Sequence, residues 1–216
     1  MSIIETIGII SAISIIIPFG VILMNVSFYR NTLFNISFYI LVGVLFEIYQ
    51  DFDLFIIKKS NQGITNIYTL IETLFVAWIF FSFIKDSTNR KIILLCASLY
   101  TVMWFGTIAY DSLGSSSSII NGGSSLTCII WGVLFFFQLS KENELKYIRW
   151  KIIIGGAFLF YFVISAGVFS FTQFFSDLNE KRYWIVFAVI HFVANVGLNS
   201  LLALGLYQCR KQSLQA

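Results

Sequence analysis

Two glutamates, one histidine and two asparagines interrupt otherwise apolar stretches of this chain. They are Glu47 in "GVLFEIYQ", Glu72 in "NIYTLIETLFVAW", and His191, Asn195 and Asn199 in "HFVANVGLN". The last three stand at i, i+4 and i+8, which at about 3.6 residues per turn makes one stripe along a helix. Tyr68 and Glu72 are likewise four apart, so the phenol and the carboxyl group share a face. Carboxyl, imidazole and amide groups set this way can hold a shared proton, a cation or a cationic ligand. Glu47, Glu72 and His191 together also have a donor chemistry suited to zinc or iron.

The elements that position these groups follow from composition. The 216 residues are 58% hydrophobic, 18% aromatic and only 12% charged, with 24 Phe and one Pro. Mean hydropathy is +0.84, too apolar for a soluble domain of this length. Apolar runs of the length a spanning helix needs, about 20 residues, recur along the chain. They predict an all-α fold, a polytopic membrane bundle of seven transmembrane helices. The spans run from Ile3 to Met24, Leu33 to Ile57, Ile64 to Ile84, Ile92 to Tyr110, Ile119 to Leu139, Ile152 to Phe175 and Tyr183 to Gln208. The fifth opens on "NGGSS" (121–125) and reads either as a full crossing or as a short helix after a Ser/Gly loop that forms a flexible outer rim. Pro18 is expected to kink the first span. Strands are disfavoured, because these runs lack the period-two alternation of membrane barrels.

Orientation follows from the positive residues. Arg30, Lys85, Arg90, Lys91, Lys141, Lys146, Arg149, Lys151, Arg210 and Lys211 fall on one side; only Lys58, Lys59, Lys181 and Arg182 fall on the other. The richer side is expected to be cytoplasmic, which puts the N-terminus outside. Glu5 and the lack of a basic leading segment argue that the first span is retained and not cleaved as a signal peptide. The loops are too short to hold a second core, so residues 1–216 read as one membrane domain whose output passes through a partner or the membrane itself. A net charge of +3 reflects the positive-inside loops and asks for no nucleic-acid partner. Cys96, Cys128 and Cys209 lack CxxC spacing and read as small packed hydrophobes.

An acidic side chain at the centre of a bilayer costs about 2.5 to 3.5 kcal/mol on insertion scales, so Glu72 requires a proton, a cation or hydrogen-bond donors. Counting about 1.5 Å per residue from the span midpoints puts Glu47 and Glu72 each about 3 Å to the outer side of centre. Asn195 is central and His191 lies about 6 to 7 Å outward. Three spans therefore bring polar groups to one level, and His191 and Asn195 are the donors expected to meet Glu72. For Asn195 and Asn199 the competing expectation is plain interhelical bonding, worth about 0.6 kcal/mol each.

Known chemistries narrow the field. A retinal Schiff base needs a Lys in the seventh span, and there is none between Tyr183 and Gln208; a three-His zinc hydrolase is excluded because His191 is the only histidine. "NIYTLIETLF", "IRWKIIIGGAFLFYF" and "IHFVANVGLNSLLALGLY" resemble the small seven-span proteins, without assigned activity, encoded in many bacterial genomes. The chain is also similar to the seven-span sensor modules that precede kinases, without the kinase. The resemblance implies a multi-pass inner-membrane protein with Glu72, His191 and Asn195 as signature positions. The expected function is binding or sensing of a small-molecule or lipid ligand in an outer-half polar pocket, with a protein effector as partner. The alternatives are a metal-dependent lipid hydrolase and a proton-coupled transporter.

Overall fold

The computed structural model describes residues 3–52, 62–114, 118–141, 149–177 and 181–214. The helices are α1 (Ile3–Ile13), α2 (Ile16–Leu23), α3 (Val26–Thr32), α4 (Phe34–Phe52), α5 (Gln62–Phe83), α6 (Ser87–Asp111), α7 (Ser118–Leu139), α8 (Arg149–Asp177) and α9 (Lys181–Ser213). No strand occurs among the described residues. Six stretches are long and apolar enough to cross a membrane: Thr6–Leu23, Gln62–Phe83, Ser87–Asp111, Ser118–Leu139, Arg149–Phe171 and Ile185–Ser213. Phe34–Tyr49 is a shorter apolar helix. The end of the expected second span, 53–57, and the basic residues Lys58, Lys59 and Lys146 lie outside the described residues.

The first apolar stretch is broken where Pro18 requires it. Without an N–H, Pro18 cannot bond the carbonyl of Ser14, four residues earlier. Ile17 N donates to Ser14 O instead (3.1 Å), and the chain turns at residues 14–15 between α1 and α2. The kink expected at Pro18 thus falls one turn before it. The fifth stretch is helical from Ser118, so "NGGSS" belongs to α7 and not to a loop or a flexible rim. Ser124 and Ser125 are buried, and a Cβ on Gly123 would collide with the tip of Met103 on α6. Small residues here serve close helix approach, their usual role in membrane bundles.

Six walls close on one another. α1 and α2 pack on α9, α9 on α8, α8 on α7, α7 on α5, α5 on α4, and α4 returns to α2. α6 stands outside this ring against α5 and α7. It buries Ile93, Ala97, Tyr100 and Trp104 and exposes Leu95, Leu99 and Val102, the pattern of a helix with one face on protein and the other on lipid. Gln138 Oε1 accepts from the backbone N–H of Lys85 (3.0 Å) and Asp86 (3.3 Å). Asp86 caps α6 by accepting from Asn89 N (2.8 Å).

One half of the ring is packed with aromatic side chains. An aromatic series crosses it from Tyr39 through Phe158, Phe80, Phe135 and Phe83 to Trp150, with ring centroids 5.4 to 6.1 Å apart at each step. Phe135 is fully buried, and a Cβ on Gly155 of α8 would meet that ring, with Cδ1 at 2.7 Å. Gly155→Ala is therefore expected to overpack the α7/α8 contact and lower stability by about 1–3 kcal/mol. Gly106→Ala meets nothing within 4 Å and should hold or raise stability, as Ala does in an exposed helix. Thermal unfolding in detergent compares the two; equal shifts would refute the packing argument.

Candidate functional site

The other half of the ring, lined by the first turns of α5 and α7 and by the middle of α8 and α9, holds a partly open cavity of about 720 Å³. Glu47 and Tyr39 reach it from α4, Tyr68 and Glu72 from α5, and His191, Asn195 and Asn199 from α9. α1, α7 and α8 complete the wall with Gly8 and Ser11, with Asn121, Ser124 and Ser125, and with Tyr161, Ser165 and Phe169. The six side chains singled out by spacing, Glu47, Tyr68, Glu72, His191, Asn195 and Asn199, thus face one space. α6 contributes nothing to the described lining.

The partners within that space differ from those expected. Glu72 Oε1 accepts from Tyr39 Oη (3.2 Å), not from His191 or Asn195. Those two groups are engaged elsewhere by the walls they stand on. Asn195 Nδ2 donates to Ser11 Oγ (3.1 Å) and Asn199 Nδ2 to Ser14 Oγ (2.8 Å), while Ser14 Oγ donates to Ser11 O (2.6 Å). The α9 stripe therefore ties down α1 across its break. His191 Nδ1 lies 3.4 Å from Ser165 Oγ, and its ring is flanked by Tyr161 and Phe169 at 5.6 and 5.7 Å. Tyr68 stacks flat on Phe46, with centroids 3.8 Å apart and planes 10° from parallel.

No protein-family model, curated protein or solved structure matches the chain.

A metal centre of Glu47, Glu72 and His191 is not what the fold builds. Among the described residues no three His, Cys, Asp or Glu side chains are grouped to hold a metal ion. The glutamates come from α4 and α5, whereas His191 is held on the α8 side by Ser165, Tyr161 and Phe169. What the cavity does offer is carboxyl acceptors, several hydroxyls and broad aromatic faces, with no Lys or Arg among its described lining residues.

Spacing left several hydroxyls unread. Thr73 Oγ1 and Ser124 Oγ share a 2.6 Å hydrogen bond between α5 and α7. Thr69 Oγ1 donates to Thr65 O (2.9 Å) and approaches Asn121 Oδ1 (3.4 Å). Tyr39 carried a signal, since Tyr39, Gly43 and Glu47 stand at i, i+4 and i+8 on one face of α4. Thr65, Thr69 and Thr73 repeat that spacing on α5. Asn66, by contrast, faces away: its Nδ2 donates to Leu113 O (2.8 Å), and its carbonyl accepts from Trp104 Nε1 (3.0 Å), which fastens α6 to the ring.

Two outcomes follow from this geometry. Tyr39→Phe removes the donor to Glu72 and keeps the ring in the aromatic series, so stability should fall by about 1–3 kcal/mol; an unfolding midpoint equal to wild type would mean that the bond contributes nothing. A double-mutant cycle of Ser14→Ala and Asn199→Leu should give a coupling of about 0.6 kcal/mol, typical of a hydrogen bond between membrane helices. Strict additivity would deny the α1–α9 tie.

Proposed function

We propose that this chain is a seven-span, multi-pass protein of the bacterial inner membrane, N-terminus outside, that binds a ligand in its outer-half cavity and reports occupancy to a protein partner. The observation that carries the proposal is the cavity itself. Its volume of about 720 Å³ falls within the roughly 300–1,000 Å³ of sites that enclose drug-sized ligands. Its wall concentrates polar groups that a lipid-embedded bundle keeps only where they are bonded or used. The count of seven crossings is supported by α4, whose 19 residues extend about 28 Å, close to the hydrocarbon thickness. The asymmetry of positive residues supports the orientation. In that orientation Glu47, Tyr68, Glu72, His191, Asn195 and Asn199 form the ligand-facing set in the outer half, and the aromatic half faces the cytoplasm.

That aromatic half also favours binding over passage. A proton-coupled transporter would need a polar route on both sides of the site, and here Phe80, Phe135 and Phe158, all fully buried, fill one side. A lipid hydrolase draws support from the Ser165–His191 contact, but a hydroxyl nucleophile also needs its base oriented by a third group. No carboxyl group is bonded to His191 among the described residues. Hydrolysis of a lipid ester that is abolished by Ser165→Ala would favour the enzyme.

Native mass spectrometry of the protein extracted from membranes in mild detergent tests the binding proposal. A retained small-molecule adduct on wild type that is lost in Glu72→Gln, at unchanged folding, is the expected result. An identical spectrum without adducts from both proteins, together with identical unfolding midpoints, would remove its basis.

A further inference from the structure

A hydroxyl group within a helix commonly bonds the carbonyl four residues back. Thr69, Thr73, Thr101, Thr107, Thr127 and Ser170 all do so here, at 2.7 to 2.9 Å. Ser125 departs from that habit: it is 2% exposed and lines the cavity, and its hydroxyl has no hydrogen bond among the described residues. The α1–α9 wall has unused bonding capacity of the same kind. Ser14 Oγ donates its hydrogen to Ser11 O (2.6 Å), so toward Asn199 it can only accept. That fixes the amide, with Nδ2 on Ser14 and Oδ1 left without a partner among the described residues, in a side chain 3% exposed. Ser11 Oγ accepts from Asn195 Nδ2 (3.1 Å), and its own hydrogen is undonated among the described residues. Exchanging the two ends of the Asn195 amide would change which atom donates, yet that pair would still keep an unused donor and an unused acceptor. Ser11, Asn195 and Asn199 all line the cavity.

These unused atoms select a ligand class. An ammonium group only donates, which leaves the hydrogens of Ser11 and Ser125 unmet. A carboxylate or phosphate only accepts, which leaves the amide oxygens of Asn195 and Asn199 unmet. A purely apolar chain satisfies none of them and desolvates all, which is costly in a low-dielectric interior. A hydroxyl group both donates and accepts, so it meets either kind of atom without a charge. Ala12, Ile15, Phe162 and Leu198 share the lining, and such apolar neighbours suit a hydrocarbon body beside a few directed hydrogen bonds. Resting on the ligand-binding proposal above, we infer that the occupant is an uncharged amphiphilic alcohol with more than one hydroxyl group, bonded by Ser11, Asn195 and Asn199 on one wall and by Ser125 on another. A free polyol and the glycerol hydroxyls of a neutral lipid share this chemistry.

The test uses the full chain in detergent and probes of similar shape: phenoxypropanediol, cationic phenoxyethylamine, anionic phenoxyacetate and apolar ethoxybenzene. Binding is read by calorimetry and by the unfolding midpoint. The diol should bind and stabilise at concentrations where the other three do not. Ser125→Ala removes a hydroxyl that holds no described partner, so its midpoint without probe should match wild type while affinity for the diol falls about two- to tenfold, the loss of one neutral hydrogen bond. Ser11→Ala should weaken the diol comparably, and should also lower the midpoint because Asn195 loses its acceptor. If Ser11→Ala does not fold, Ser125→Ala carries the comparison alone. Equal binding of ethoxybenzene, or tighter binding of the amine or the acid, overturns the alcohol and leaves ligand binding standing. Diol binding that neither variant changes overturns the assigned atoms. No binding of any probe leaves those atoms to water and overturns the alcohol; if native mass spectra also carry no adduct, the binding proposal falls with it. Nanodiscs separate the sources: monoacylglycerol that displaces the diol, where triacylglycerol, which has no free hydroxyl, does not, assigns the hydroxyls to a lipid. Displacement by neither assigns them to a free polyol, and displacement by both overturns the alcohol.

Discussion

A hydrocarbon solvent offers no water to a polar group, so each one must be bonded within the protein or face a cavity. In this bundle that constraint is sharpest at Glu72, midway along α5. Its partner, Tyr39, belongs to two environments at once. The hydroxyl reaches the carboxyl group in the cavity, while the ring begins the aromatic series that packs the opposite half. The register of α4 on α5 and the boundary between hollow and aromatic halves therefore meet at one side chain. Placing Tyr39 a turn earlier or later would leave the carboxyl group without this donor and Phe158 without this ring.

The two halves divide the labour of the fold. Phe80, Phe135 and Phe158 are fully buried and pack at aromatic contact distances in the aromatic half. The hollow half is held apart by bonds that run along its walls, Thr73 to Ser124, Asn195 to Ser11 and Asn199 to Ser14. Such bonds fix spacing without filling volume. They explain how about 720 Å³ persists inside a bundle whose dispersion forces would otherwise close it.

Much of the helical framework was legible from the residues, because apolar length and charged boundaries are strong signals in a membrane chain. The alignment of His191, Asn195 and Asn199 was legible too, from spacing alone. The hydrogen-bond partners were not. Ser, Thr and Tyr are ordinary in membrane helices and can bond their own backbone, as Thr69 and Thr73 do, so their presence does not announce a tertiary contact. Depth alone put His191 and Asn195 beside Glu72, but depth ignores azimuth: on α9 those side chains turn toward α8 and α1. The Ser/Gly opening of α7 misled for a related reason. Turn chemistry that signals a loop in water signals close packing in lipid, and Gly123 lies directly against the tip of Met103.

The ties between α1 and α9 have a consequence for how the protein is made. Ser11 and Asn195 are 184 residues apart, and Ser14 and Asn199 are 185 apart. α1 is synthesised before α9, with two serines whose tertiary partners do not yet exist. Until α9 emerges, Ser14 can turn its hydroxyl only to its own helix, as it does on Ser11 O. The cavity wall therefore has an open seam throughout translation and is sealed only when α9 is inserted, which makes assembly of the site a late, post-insertion event.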